Sequence, residues 1–119
     1  MSATVAVAVR ELASAEVVAF GGVGLAGRIL PVTEAFQTIE EALPERADEV
    51  RPHLAWLLAN GSPAGKAYAA TLLAVFDPEA ARAAWGALSH EAAEFTTFHG
   101  CIIDRTTLGQ YATGQLTAV

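Results

Sequence analysis

Ser62-Pro63-Ala64-Gly65-Lys66-Ala67-Tyr68-Ala69-Ala70-Thr71-Leu72-Leu73-Ala74-Val75-Phe76-Asp77-Pro78 decides the fold of this chain. It carries one signal twice. A Ser or Asp side chain can take up the free amides that open a helix, and Pro is tolerated at the first helical position. Ser62-Pro63 therefore opens a helix, and Asp77-Pro78 ends it and opens another. Between these marks Ala67, Ala70, Leu73, Ala74 and Phe76 recur near helical spacing, with Lys66 on the opposite side. Beyond Asp77-Pro78 the residues Ala81, Ala84, Trp85 and Leu88 make a second apolar stripe.

Working upstream, Val50, Leu54, Leu57 and Leu58 form another stripe, and Asn60-Gly61 reads as a left-handed stop. Pro52 lies inside it, marking either the first turn of that helix or a kink in a longer one from near Glu45. Thr33 followed by residues 34–42 predicts a further short helix with Ala35, Phe36 and Ile39 on its inner face. Short links between such helices are the mark of antiparallel helical hairpins.

The ends read differently. Residues 16–25 place Gly21-Gly22 between two apolar arms, and residues 94–103 have the same design. Laid together, Glu16 falls on Glu94, Phe20 on Phe98, Gly22 on Gly100 and Val23 on Cys101. Two β-hairpins, over 16–28 and 94–104, are expected to bracket the helical middle of 33–88. Two lone hairpins would be marginal in water, so they should pair with each other or pack on the helices. Val5, Val7 and Val9 alternate like a strand, but Val5, Ala8, Val9 and Leu12 fit a helix face, and Arg10-Glu11-Leu12-Ala13-Ser14 favours helix. Residues 106–111 predict a last short helix capped by Thr106 or Thr107.

The expected fold is thus mainly α, a single domain over 1–119 with small β-hairpins near both ends. Ser62-Pro63, the basic Lys66, Ala69-Ala70 and Leu72-Leu73 resemble the second helix of a HEAT repeat, and Asp48-Glu49-Val50-Arg51 resembles the acidic-Val-Arg sequence common there. The resemblance covers residues 48–88, about one repeat. It implies an antiparallel helix pair that stacks on neighbours and serves protein binding, with no catalytic residue to carry over. Solenoids of this kind need about three repeats, so the remaining elements would have to act as caps.

Composition narrows the partners. The 119 residues are 53% hydrophobic and only 8% aromatic, so the core must be built from Ala, Leu, Val and Ile. A charged fraction of 17% and a mean hydropathy of +0.37 exclude intrinsic disorder. Thirteen acidic against seven basic residues give a net charge of −6, the wrong sign for gripping a phosphate backbone, and Lys66 is the single lysine. Nucleic acid is excluded as an expected partner. One cysteine fits a reducing compartment rather than a disulfide framework. Residues 1–9 lack a basic residue ahead of their apolar stretch, and the longest mostly apolar runs, 17–27 and 67–76, are about half of what a bilayer span needs. A cytoplasmic protein without a membrane partner is expected.

Chemistry is sparse. Gly61-Ser62-Pro63-Ala64-Gly65-Lys66-Ala67 has three residues between its glycines where a phosphate loop has four, and Ala67 stands where a magnesium-binding hydroxyl should be. It reads as a helix start. His99, Cys101 and Asp104, with His90 and Glu94 before them, are residue types that serve as zinc ligands or as a Cys–His nucleophile pair. No second cluster supplies the remaining ligands. Cys101 reads as a small buried hydrophobe, His99 as a turn residue, and neither cofactor nor metal is expected. Glu34, Glu40, Glu41, Glu45, Asp48 and Glu49 crowd a stretch relieved only by Arg46 and Arg51. That acidic run, a solvated helical face by default, suits a basic partner surface. Trp56 points away from the stripe of Val50, Leu54 and Leu57, and is the expected semi-exposed contact residue, whereas Tyr68 and Trp85 read as core or core edge.

The expected function is a non-enzymatic protein-interaction module, contacting another protein or itself as a homodimer through Trp56, Glu40, Glu41, Glu45, Asp48 and Glu49. Two alternatives stand beside it. One is a small acidic inhibitor of a basic partner, of the immunity-protein or antitoxin type, and the other a small enzyme using Cys101 with His99 or His90.

Overall fold

The computed structural model describes residues 3–20, 29–99 and 102–117. In chain order its elements are α1 (Ala3–Ala13), β1 (Val17–Val18), α2 (Pro31–Asn60), α3 (Pro63–Phe76), α4 (Pro78–Leu88), β2 (Glu94–His99), β3 (Ile102–Thr107) and α5 (Leu108–Thr117). The fold is mainly α with a small three-stranded sheet. No helix among the described residues is long and apolar enough to cross a membrane.

The stretch from Ser62 to Pro78 folds as its signals require. Ser62 Oγ accepts a hydrogen bond from the Gly65 amide at 3.1 Å, and the Asp77 carboxylate accepts one from the Ala80 amide at 3.1 Å. Each cap satisfies a donor that the helix cannot satisfy itself. Ala64, Ala67, Tyr68, Ala69, Ala70, Leu72 and Leu73 are all buried, so α3 is wrapped nearly all round. It packs on α2 and α4 and also touches α1, α5, β1 and β2. Ala74, expected on the inner face, is exposed near the C-terminal end of α3.

Small residues set the spacing. A side chain at Gly65 would run into the carbonyl of Leu12, so only glycine lets α3 lie this close to the end of α1. Ser62 secures the same contact, its amide donating to Ala13 O at 2.9 Å and its hydroxyl to Ala15 O at 2.6 Å. On α1 the buried residues Val5, Ala8, Val9 and Leu12 follow helical spacing, and the strand alternative falls.

Several local expectations are corrected. Residues 33–42 and 50–60 belong to one helix, α2, broken by the non-helical Arg46 (φ −130°, ψ 33°). Pro44, two residues before, lacks the amide that would bond the Glu40 carbonyl, and the break follows it, whereas Pro52 lies inside the resumed helix. α2 starts at Pro31, two residues before Thr33, and the buried Thr33 hydroxyl donates to Ala19 O at 2.6 Å. Gly61 is extended (φ −73°, ψ 166°), not left-handed; a Cβ there would stand 2.7 Å from Leu57 O, which already accepts the Gly61 amide.

The sheet has the order β1-β2-β3. The expected hairpin over 94–104 forms but extends to Thr107, with Glu94 opposite Thr107 and His99 opposite Ile102. His99 is therefore a strand residue, not a turn residue, and residues 100 and 101 lie outside the described ones. In the hairpin expected over 16–28 the first arm is β1, paired in parallel with β2 through Val17 opposite Thr96 and Val18 opposite Thr97. Its second arm lies outside the described residues. Thr107, one of the two expected caps, receives the Gln110 amide on its hydroxyl at 3.1 Å as α5 begins.

Candidate functional site

The residues singled out in the sequence fall along the outer side of α2. Trp56 is 48% exposed, as its helical phase requires. Glu40, Glu41, Glu45 and Asp48 are exposed, and Glu49 is half-buried with Arg46 Nη1 3.9 Å from its carboxylate. The break at Arg46 divides this acidic run, so Glu40, Glu41 and Glu45 precede it, and Asp48, Glu49 and Trp56 follow it. Arg51, the other cation of the stretch, turns to α3 and α4, 3.0 Å from the Asp77 carboxylate and over the ring of Phe76 at 5.0 Å. The Ala80 amide, then the Arg51 guanidinium, hold the Asp77 carboxyl below the usual carboxylate range.

Of the residues considered for catalysis, Glu94, Asp104 and His90 can be placed. Glu94 is paired with Arg105 at 3.2 Å, and Asp104 Oδ1 accepts the Arg105 amide at 2.8 Å. His90 is exposed beyond the end of α4, and Cys101 lies outside the described residues. No group of three His, Cys, Asp or Glu suited to a metal ion occurs among the described residues.

A feature missed in the sequence lies between α1 and α2. Thr4, Val7, Ala8 and Glu11 from α1 face Pro31, Glu34, Ala35 and Thr38 from α2 across a groove of about 480 Å³. Both sets follow the i, i+3, i+4, i+7 spacing of one helical stripe. Each stripe is visible alone, but nothing local announces that the two lie side by side. Past Glu11 and Pro31 the depression continues over about 270 Å³ bounded by Ser14, Glu16, Val17 and Leu30.

What fixes this region is a buried polar knot. Tyr68 Oη accepts the Ala19 amide at 2.7 Å and donates to Ala19 O at 3.0 Å, while Thr33 donates to the same oxygen. Phe20 closes over it, its ring 4.9 Å from Phe36 and 5.4 Å from Tyr68. Burial pushes the Tyr68 hydroxyl up to about 12 despite its backbone partner at Ala19. The knot ties the chain after β1 to α2 and α3 at once.

No protein-family model, curated protein or solved structure matches this chain.

Proposed function

We propose that this chain is a non-enzymatic protein-interaction module of the cytoplasm. The observation that carries the reading is Trp56, left 48% exposed in a protein that buries Trp85 to 5%. Indole is the side chain most enriched at binding hot spots, and leaving it in water gains a lone domain nothing. The resemblance of residues 48–88 to a HEAT repeat supports the same reading. The partner is another protein, with a second copy of the chain as the competing occupant.

The carboxylates along α2 favour a basic partner surface, and with it the second reading of an acidic inhibitor that neutralises such a partner. Glu40, Glu41, Glu45 and Asp48 all project into solvent from a chain of net charge −6. A photo-crosslinking amino acid in place of Trp56 tests the module in cells that make it. A discrete crosslinked species is expected from position 56 and none from position 82 on exposed α4. Complexes that weaken steeply between low and high salt favour the inhibitor reading. A chain that gives no crosslink and stays a monomer in solution at every concentration would end both.

A further inference from the structure

The groove between α1 and α2 is lined by small and apolar side chains, with a carboxylate from each helix. α1 and α2 turn one side to the core, through Val5, Val9 and Leu12 and through Phe36 and Ile39. The groove face is left without a covering element among the described residues. Val7 stands 62% exposed on its wall, and Ala8 and Ala35, only 5% and 7% exposed, form a floor of small side chains that lets another backbone approach closely. Each stripe spans eight residues, about 10 Å, or two turns of an incoming helix.

The rim selects the charge of that helix. Glu11 and Glu34 stand on opposite sides of the groove, and neither side chain has an ion pair or hydrogen bond among the described residues. Glu16 adds a third carboxylate where the groove continues. A second copy of this chain suits the seat poorly. It would bring a further −6 of charge, and its exposed α1 face offers Arg10 alone as a cation.

We infer that the groove receives an amphipathic helix from a basic protein, with the apolar stripe of that helix on Val7, Ala8 and Ala35 and its Lys or Arg side chains on Glu11 and Glu34. Recognition of this kind reads the partner through anchors one helical turn apart. The inference rests on the interaction reading above and moves its centre from Trp56 to the α1–α2 face.

The probe is a labelled synthetic peptide about four turns long, Leu on one face and Lys flanking it, titrated with the full chain at low salt and followed by fluorescence anisotropy. A scrambled peptide of identical composition keeps the charge and loses the stripe. Saturable binding is expected for the first, about tenfold weaker binding for the second, and about tenfold loss in the Glu11→Gln/Glu34→Gln double variant. Val7→Ala, at an exposed position, should also weaken it. The Glu40→Gln/Glu41→Gln double variant removes the same charge outside the groove and should leave binding within about twofold.

Equal binding of the scrambled peptide, or equal loss in the two double variants, would overturn the groove assignment. So would a dimer of the chain that Val7→Asp dissociates, since that would seat a second copy there. If the groove variants change nothing while position 56 still crosslinks, the groove assignment falls and the interaction reading stands. Absence of any complex at either place fells the reading itself.

Discussion

At the scale of single residues, the fold depends on a few side chains that make contacts far along the chain. Tyr68 is fully buried, and its hydroxyl serves both the amide and the carbonyl of Ala19. Tyr68→Phe keeps the ring but leaves a buried amide without an acceptor, for an expected loss of about 1–3 kcal/mol in denaturant unfolding. Thr33→Val should cost less, because Ala19 O keeps the Tyr68 donor. Tyr68 also makes stability sensitive to alkali. Its folded value near 12 lies above the ordinary 10.0, so its contribution is complete below pH 10 and is lost as pH rises toward 12. Phenolate absorbance should therefore rise late and together with the loss of helical circular dichroism; a rise near pH 10 with the helices intact would contradict the burial. Two glycines give opposite outcomes. Gly86 has open space where a Cβ would go, so Gly86→Ala should raise stability by up to about 1 kcal/mol, whereas Gly65→Ala meets the Leu12 carbonyl and should lower the melting temperature.

At the scale of elements, the joint between α3 and α4 is a single residue, Asp77, which ends one helix and caps the next. Its carboxyl is held below the ordinary carboxylate value by the Ala80 amide first and by Arg51 second. A depressed folded value means that the stabilisation is present above the ordinary value and disappears as pH falls through the folded one. Asp77→Ala should lower the melting temperature at neutral pH. Asp77→Asn, which can still cap, should lower it less and flatten its fall under acid; melting curves at several pH values decide, and an unchanged acid limb in Asp77→Asn would remove this group from the account. That joint and the one at Ser62-Pro63 were legible in the sequence because a cap, a proline and a periodic stripe are all local. Trp56 and Trp85 were legible for the same reason, each placed by its helical phase. That the two end segments would pair was one of two outcomes expected, but the parallel sense and the register of Val17 with Thr96 were not legible, because they join distant segments with no short-range rule to link them. The α1–α2 groove escaped on the same ground, as did the tertiary tie from the Thr33 hydroxyl to Ala19 O.

At the scale of the whole molecule, the sheet has an open side, and its chemistry bears on what the chain does with copies of itself. Among the described residues β3 is an edge strand, with Ile102 and Ile103 at 65% and 66% exposure. Edges of this kind pair with other chains unless something blocks them. The Thr96 amide bonds Glu16 O, just ahead of β1, so Thr96 and its partner Arg105 form a pair that exchanges no hydrogen bonds, and the Arg105 amide points away from β2. That outward amide is taken by the Asp104 carboxylate at 2.8 Å. One central rung of the edge is thus occupied by the chain itself, and a self-association through β3 would have to break it. Asp104→Ala frees the amide and removes one negative charge, so it should promote concentration-dependent association, read by light scattering and by solution mass. Asp104→Asn keeps an acceptor oxygen and should stay close to the parent, which separates the blocked rung from the change in net charge. If both variants associate alike, charge alone keeps the copies apart; if neither does, the exposed isoleucines of β3 are harmless for a reason other than Asp104, and the edge is not guarded in this way.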